Sequence, residues 1–454
     1  MKKIILAILL SAFTSLAYSQ MSSISGIDKS YTDKNKGKEI SLFSIEDGTL
    51  VKIATTKFGN DGSFGFLFKV PAENFYVIGQ DSSPTVPKHY LYLKPGDAAN
   101  VVIDNMNLSF EGKNSAENRM IGEWFAISNV CRNKAIYFTM SHSNFEDFYP
   151  DFDKLLAAID PYLKKLKTPN PLFNERMAKW VLYDRDMFMI NLMFTPRSKH
   201  PQANELHSFC KAFNKPSERY PSDDIFDYMY GIRLLTCYLM EYARENGISS
   251  NTDDKLALLA TDRQKGEYLA SEIARMRDFG QVEEFETKYG KYFVTPSLKE
   301  RLDAKKRELF TSKPGNKALD FTYPDANGKL VSLSDFKGKV VLVDVWATWC
   351  GPCKQQIPYM KEMEEAYKGK DVAFISVSVD ENDKKQDWLN MIKEKEMGGI
   401  QLFASGWSKI CKDYNINSIP RFLVFDKKGN IVSIDAPRPS DPKLKELLDS
   451  ELAK

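Results

Sequence analysis

Short runs rich in β-branched and aromatic residues dominate the first part of the chain. They are Ile40 to Phe43, Val51 to Thr55, Phe64 to Val70, Phe75 to Gly79, Tyr90 to Leu93 and Ala99 to Ile103, divided by turn signals such as Asn60-Asp61-Gly62 and Pro95-Gly96-Asp97. This spacing predicts an N-terminal all-β domain over 20–112, a small sandwich or barrel. From about Asn114 the period changes. Phe145, Phe148, Phe152, Leu155, Ile159 and Leu163 recur every three or four residues, as on one face of a helix. Met177 to Phe194, Ile225 to Tyr242, Lys255 to Ala260, Glu267 to Phe279 and Ser297 to Phe310 continue that pattern and predict an α-helical middle region over 113–312. The methionines and aromatics near Met187 fit core packing better than a cofactor pocket. No repeat of fixed period is visible, so a regular solenoid is not supported.

Ser312-Lys313-Pro314-Gly315-Asn316 is a polar break, and a third domain is expected over 313–454. Its pattern alternates. Val340 to Val345 and Val372 to Val379 read as buried strands, while Pro358 to Tyr367 and Lys384 to Lys395 read as helices. Phe422 to Phe425 and Ile431 to Ile434 form a strand pair, and Lys443 to Leu452 closes the chain as a helix. That order predicts an α/β domain.

Composition sharpens this picture at a few points. With 454 residues, 43% of them hydrophobic, the chain can build several cores. Its 63 Lys plus Arg against 61 Asp plus Glu leave a formal charge of only +2, so nothing points to a nucleic-acid partner, which would need a clustered basic excess. The start has a different character. Lys2 and Lys3 precede an apolar run from Ile4, and Ala17-Tyr18-Ser19 offers small residues for cleavage, so 1–19 reads as a secretory signal peptide. The run is too short to span a bilayer, and the first cysteine is Cys131, so a lipid-attached form is not expected. A soluble, exported protein follows, periplasmic in a Gram-negative source.

Six cysteines in such a length do not make a disulfide scaffold. Cys131, Cys210, Cys237 and Cys411 stand alone and are expected to be buried, inert thiols, with a structural disulfide among them left open in an oxidising compartment. Cys350 and Cys353 form a local motif directly after a buried strand and at the start of a helix. There the unsatisfied N–H groups and the helix dipole favour a thiolate at Cys350. Cys353, almost a turn further on and expected to be more buried, is placed to resolve a mixed disulfide. Pro352 suits the first helical turn because its missing N–H is not needed there. A zinc site would need a second Cys or His pair, and the third domain offers only Cys411 besides.

The segment Val343-Asp344-Val345-Trp346-Ala347-Thr348-Trp349-Cys350-Gly351-Pro352-Cys353 closely resembles the active-site segment of thioredoxin. The hairpin expected over Phe321 to Leu333 and the material around Val372 to Lys395 look more like the exported TlpA/ResA branch of that superfamily. The resemblance covers about a third of the chain and implies a thioredoxin fold for 313–454. It implies Cys350 as nucleophile, Cys353 as resolving thiol, and Trp349, Gly351 and Pro352 as the surface around them. Ile419-Pro420 matches the family's cis-proline, which holds backbone beside the nucleophile where an extended substrate can pair. Asp344, six positions before Cys350, matches thioredoxin's buried acid and is a candidate to take the Cys353 proton, through water or directly; alternatively it only tunes stability. Two positions depart from the pattern. Gln356 stands where ResA-like proteins carry a Glu, and Arg421 follows the cis-proline where Thr is usual. Arg421 either stabilises the thiolate, binds an acidic substrate segment, or points to solvent.

The resemblance implies an exported thiol–disulfide oxidoreductase working on protein thiols and disulfides. It would need no bound cofactor and would be re-reduced by a membrane thiol donor. Gly-Pro between the cysteines favours a reductant, since thioredoxin's pair sits at about −270 mV. A disulfide isomerase, framed by a homodimer of the N-terminal regions, stays open. So does a partner-binding protein that uses the pair only as a redox switch.

Overall fold

The computed structural model describes residues 21–32, 37–83, 86–137 and 141–454. The expected signal peptide lies outside them. Two compact units emerge, one ending at Tyr268 and one running from Leu269 to Lys454. No helix among the described residues is long and apolar enough to cross a membrane.

The first unit opens with eight strands, β1 (Met21–Asp28), β2 (Glu39–Glu46), β3 (Thr49–Lys57), β4 (Ser63–Lys69), β5 (Asn74–Gly79), β6 (Lys88–Leu93), β7 (Ala98–Asp104) and β8 (Asn107–Phe110). They form two four-stranded sheets, ordered β4-β1-β7-β8 and β3-β2-β5-β6. β4 shows why one sheet forms: Phe64, Phe66 and Phe68 alternate with exposed neighbours and are buried. β5 and β6 are buried almost throughout because helices cover their second face. Phe75 packs its ring 5.1 Å from Trp180 and 5.9 Å from Phe173 of the helix Pro171–Phe194.

The helical part of this unit contains the long helices Ala116–Ala135, Phe145–Lys165, Pro171–Phe194 and Gly231–Glu245. Met177, Met187 and Met189 are fully buried, so their stripe is core. The continuous helix expected from Ile225 to Tyr242 is broken. A Cβ on Gly231 would lie 2.0 Å from the Ile225 carbonyl oxygen, so the chain folds back on itself there before the helix begins. The expected helix Glu267–Phe279 also divides. One helix ends at Ile273, and Asp278 caps a new one, Phe279–Tyr289, by accepting from Gln281 N–H.

In the second unit, β9 (Thr322–Pro324) and β10 (Leu330–Ser332) make a hairpin. The central sheet contains β11 (Val340–Trp346), β12 (Val372–Ser378), β13 (Ile400–Phe403), β14 (Arg421–Phe425) and β15 (Ile431–Ser433) in the order β13-β12-β11-β14-β15. β11 runs parallel to β12 and antiparallel to β14. Every residue of β11 and β12 is buried. The two-residue period explains how: Val341, Val343 and Val345 enter one apolar cluster, while Val340 and Leu342 enter another on the opposite face. The architecture is therefore β-sheets, a helical middle and a C-terminal α/β domain.

Candidate active site

β11 ends at Trp346, and a tight turn follows in which Cys350 N–H donates to the Ala347 carbonyl at 3.1 Å. The helix Gly351–Ala366 begins immediately, with Cys350 as its N-cap and Pro352 in the first turn. The Cys350 sulfur accepts from Cys353 N–H at 3.2 Å, as a capping oxygen would. A thiolate there would receive the same N–H and the positive end of the helix dipole. The two sulfurs are joined in a disulfide whose Cα atoms lie 5.3 Å apart.

Both cysteines are nearly covered, Cys350 at 4% exposure and Cys353 at 3%. The expected difference in burial between them is thus absent in the disulfide form. What separates the two is position: Cys350 caps the helix, and Cys353 lies inside its first turn. Trp349 is 59% exposed, and Gly351 and Pro352 are exposed beside it. Together they surround the disulfide with accessible, largely apolar surface.

The turn is held by a residue the sequence reading missed. Asp380, fully buried just beyond β12, accepts from Thr348 N–H at 3.0 Å, from Thr348 Oγ1 at 2.7 Å and from Ser378 Oγ at 2.7 Å. An aspartate directly after a strand of mostly apolar residues was the available signal.

Asp344 occupies a β11 position whose parity belongs to the cluster of Val340 and Leu342. Phe422 of β14 faces it across the ladder, and Met360 and Met363 of the active-site helix cover that side. Its Oδ1 has no hydrogen-bond partner, and burial alone pushes its pKa up to about 8. Gln356 is also buried, and its Oε1 accepts from Ser440 N–H at 3.2 Å.

The Ile419–Pro420 peptide bond is cis, and Ile419 packs against the cluster that holds both cysteines. Arg421 pairs with Val345 in the ladder, beside the end of β11. It does not point to solvent: it is 2% exposed, with Nη1 3.2 Å from Asp435 Oδ1. The angle of that contact is too poor for a hydrogen bond, so Nη1 stays unsatisfied. Burial lowers the Arg421 pKa, Asp435 opposes this, and Arg277 adds to it.

Residues 313–448 match the Redoxin family model. A thiol-disulfide oxidoreductase ResA from Bacillus thuringiensis subsp. konkukian is 35% identical over 118 residues, covering 26% of this chain. The match spans 66% of that relative's length, just under two thirds. The thioredoxin-like protein YneN from Bacillus subtilis is 30% identical over 135 residues, covering 30% of this chain and 78% of YneN. Through this C-terminal segment the chain belongs to the ResA-like branch of the thioredoxin-like proteins. Among solved structures, the thioredoxin domain of a thiol-disulfide oxidoreductase from Bacteroides vulgatus is 28% identical, covering 30% of this chain and 96% of that one, with a TM-score of 0.27. In this ResA-like chain the matched segment contains the cysteine pair, Asp344, Asp380, the cis-proline and Arg421.

Proposed function

We propose that the protein is exported and reduces disulfides in other exported proteins, with the periplasm as its compartment. The observation that carries this reading is the Cys350–Cys353 pair at a helix N-terminus, with Cys350 as the cap. In the reduced protein, the Cys350 thiolate attacks one sulfur of a substrate disulfide. An S–S bond forms to Cys350, and the other substrate sulfur leaves as a thiolate that takes up a proton. Cys353 then loses its proton and attacks the Cys350 sulfur. The second substrate thiol is released, and the protein is left with the internal disulfide seen in the structure. Two electrons pass to the substrate, so a dithiol donor must supply two in return; a membrane thiol reductant fits that role.

Asp344 has the chemistry to take the Cys353 proton, directly or through water. A carboxyl near 8 is matched to a thiol of ordinary pKa, about 8.5. Trp349, Gly351, Pro352 and Ile419 would receive the substrate segment around its disulfide.

Titration of the pair in thiol–disulfide buffers tests the direction of electron flow. A potential below roughly −230 mV is expected for a reductant. A value near −180 to −120 mV would turn the assignment to isomerase or oxidant. Cys350→Ser should abolish insulin reduction, and retained turnover would remove the pair from the chemistry.

A further inference from the structure

Beside the cis-proline, and wholly inside the second unit, lies an open groove of about 420 Å³. Four arginines line it: Arg275, Arg277, Arg421 and Arg438. Asp435 is the one carboxylate among its described lining residues. The cations are poorly matched within the protein. Arg275 reaches Glu272 only at 3.5 Å, in an exposed pair of little strength. Arg277 bonds the Ser418 hydroxyl at 2.5 Å and has no carboxylate partner among the described residues. The side chain of Arg438 has none either, and Arg421 is buried with Nη1 unsatisfied beside Asp435.

A buried guanidinium short of an acceptor costs stability, and its planar fork is shaped for a carboxylate. The groove includes Ser418, Ile419, Pro420 and the first residue of β14. A chain laid along the cis-proline would therefore run its flanking side chains past these cations. Arg275 and Arg277 come from the linker between the helix ending at Ile273 and the one starting at Phe279, upstream of the segment matched to Redoxin. They lie outside that matched segment.

We infer that this groove binds aspartate and glutamate side chains flanking the target disulfide, so that the preferred substrates are proteins with acidic segments beside their cysteines. This rests on the reductase reading above and names its substrate class.

Two measurements on the full mature chain separate this inference from that reading. The first is fluorescence anisotropy with a labelled, cysteine-free extended peptide rich in Asp and Glu, against its Asn and Gln counterpart. At low ionic strength the acidic peptide should bind about tenfold tighter, as two or more partly exposed ion pairs would provide, and salt should erode the difference. The double variant R277Q/R438Q should lose that preference. Arg307→Gln, on the exposed face of the helix Pro296–Leu309, should keep it. Equal binding of the two peptides, or a preference that survives R277Q/R438Q, overturns the inference. The second measurement is kcat/KM for disulfide peptides with acidic or amide flanks. A ratio near one in the wild-type chain also overturns it. Loss of all turnover, with the binding preference intact, would instead overturn the reductase reading and leave the groove's acidic specificity standing.

Discussion

A carboxyl placed where the strand alternation calls for an apolar side chain carries a measurable penalty. Asp344 is raised from about 3.8 to about 8 by desolvation, with no cation or hydrogen bond to offset it at Oδ1. The folded state therefore holds its proton more tightly than the unfolded chain. The stabilisation this gives is fully present below about pH 4 and is lost as pH rises from there through about 8. Asp344→Asn should flatten that decline and stabilise the protein at pH 7 by about 2–4 kcal/mol, with little effect at pH 4. Urea unfolding at the two pH values checks it, and equal effects at both would mean the carboxyl titrates alike in the folded and unfolded states. The same variant separates chemistry from stability. If Asp344 accepts the Cys353 proton, release of the mixed disulfide slows while the first attack by Cys350 does not. Unchanged rates in both steps would leave it a purely structural acid.

At the scale of elements, the site is a junction where β11, the capped helix and the end of β12 meet. Strand period, cysteine spacing and proline position made the first two legible in the sequence. The strand leading to the third was legible too, but the part played by Asp380 was hidden, because it acts through hydrogen bonds to a turn 32 residues away in sequence. Asp380→Ala leaves Thr348 N–H and two hydroxyls without their acceptor, at a cost of about 1–3 kcal/mol. It should also slow the first attack by Cys350 more than it lowers affinity, because the turn that presents the sulfur loosens. Stopped-flow reduction of a disulfide peptide reads both effects; lost stability with an unchanged rate would confine Asp380 to the fold. Other elements were missed for reasons of length and polarity. β13 is four residues long and sits at a sheet edge, and β1 is made mostly of serine, glycine and two isoleucines, so its apolar signal is weak. The groove arginines were obscured in another way. A pattern running unbroken from Glu267 to Phe279 suggested one helix, whereas the chain leaves the helix at Ile273 and turns Arg275 and Arg277 toward the cis-proline.

For the molecule as a whole, the sequence showed three regimes of pattern, whereas the chain packs into two compact units. Hydrophobic periodicity reports which face of an element is covered, not which neighbour covers it. β5 and β6 are buried because helices from the next segment close over them, and the helices from Leu269 to Ser312 share a unit with the redoxin domain. The isolated cysteines offer a way to follow these units separately. Cys131, Cys210 and Cys237 lie in the first unit and Cys411 in the second. All four are buried, and burial pushes Cys131 and Cys210 up to about 12 and Cys411 up to about 11, so none is a useful thiolate near neutral pH. In the reduced native protein, alkylation should therefore mark Cys350 first and leave these four untouched until the unit around each one opens. Raising the denaturant during pulsed alkylation, with mass-resolved peptides, should then give one midpoint shared by the three upstream cysteines and a separate one for Cys411. Independent cores predict that result, since each unit buries its own apolar surface. Coincident midpoints at all four sites would instead show that the units unfold as a single cooperative body. In that case a substitution in the helical region would lower the stability of the redox site by the same amount.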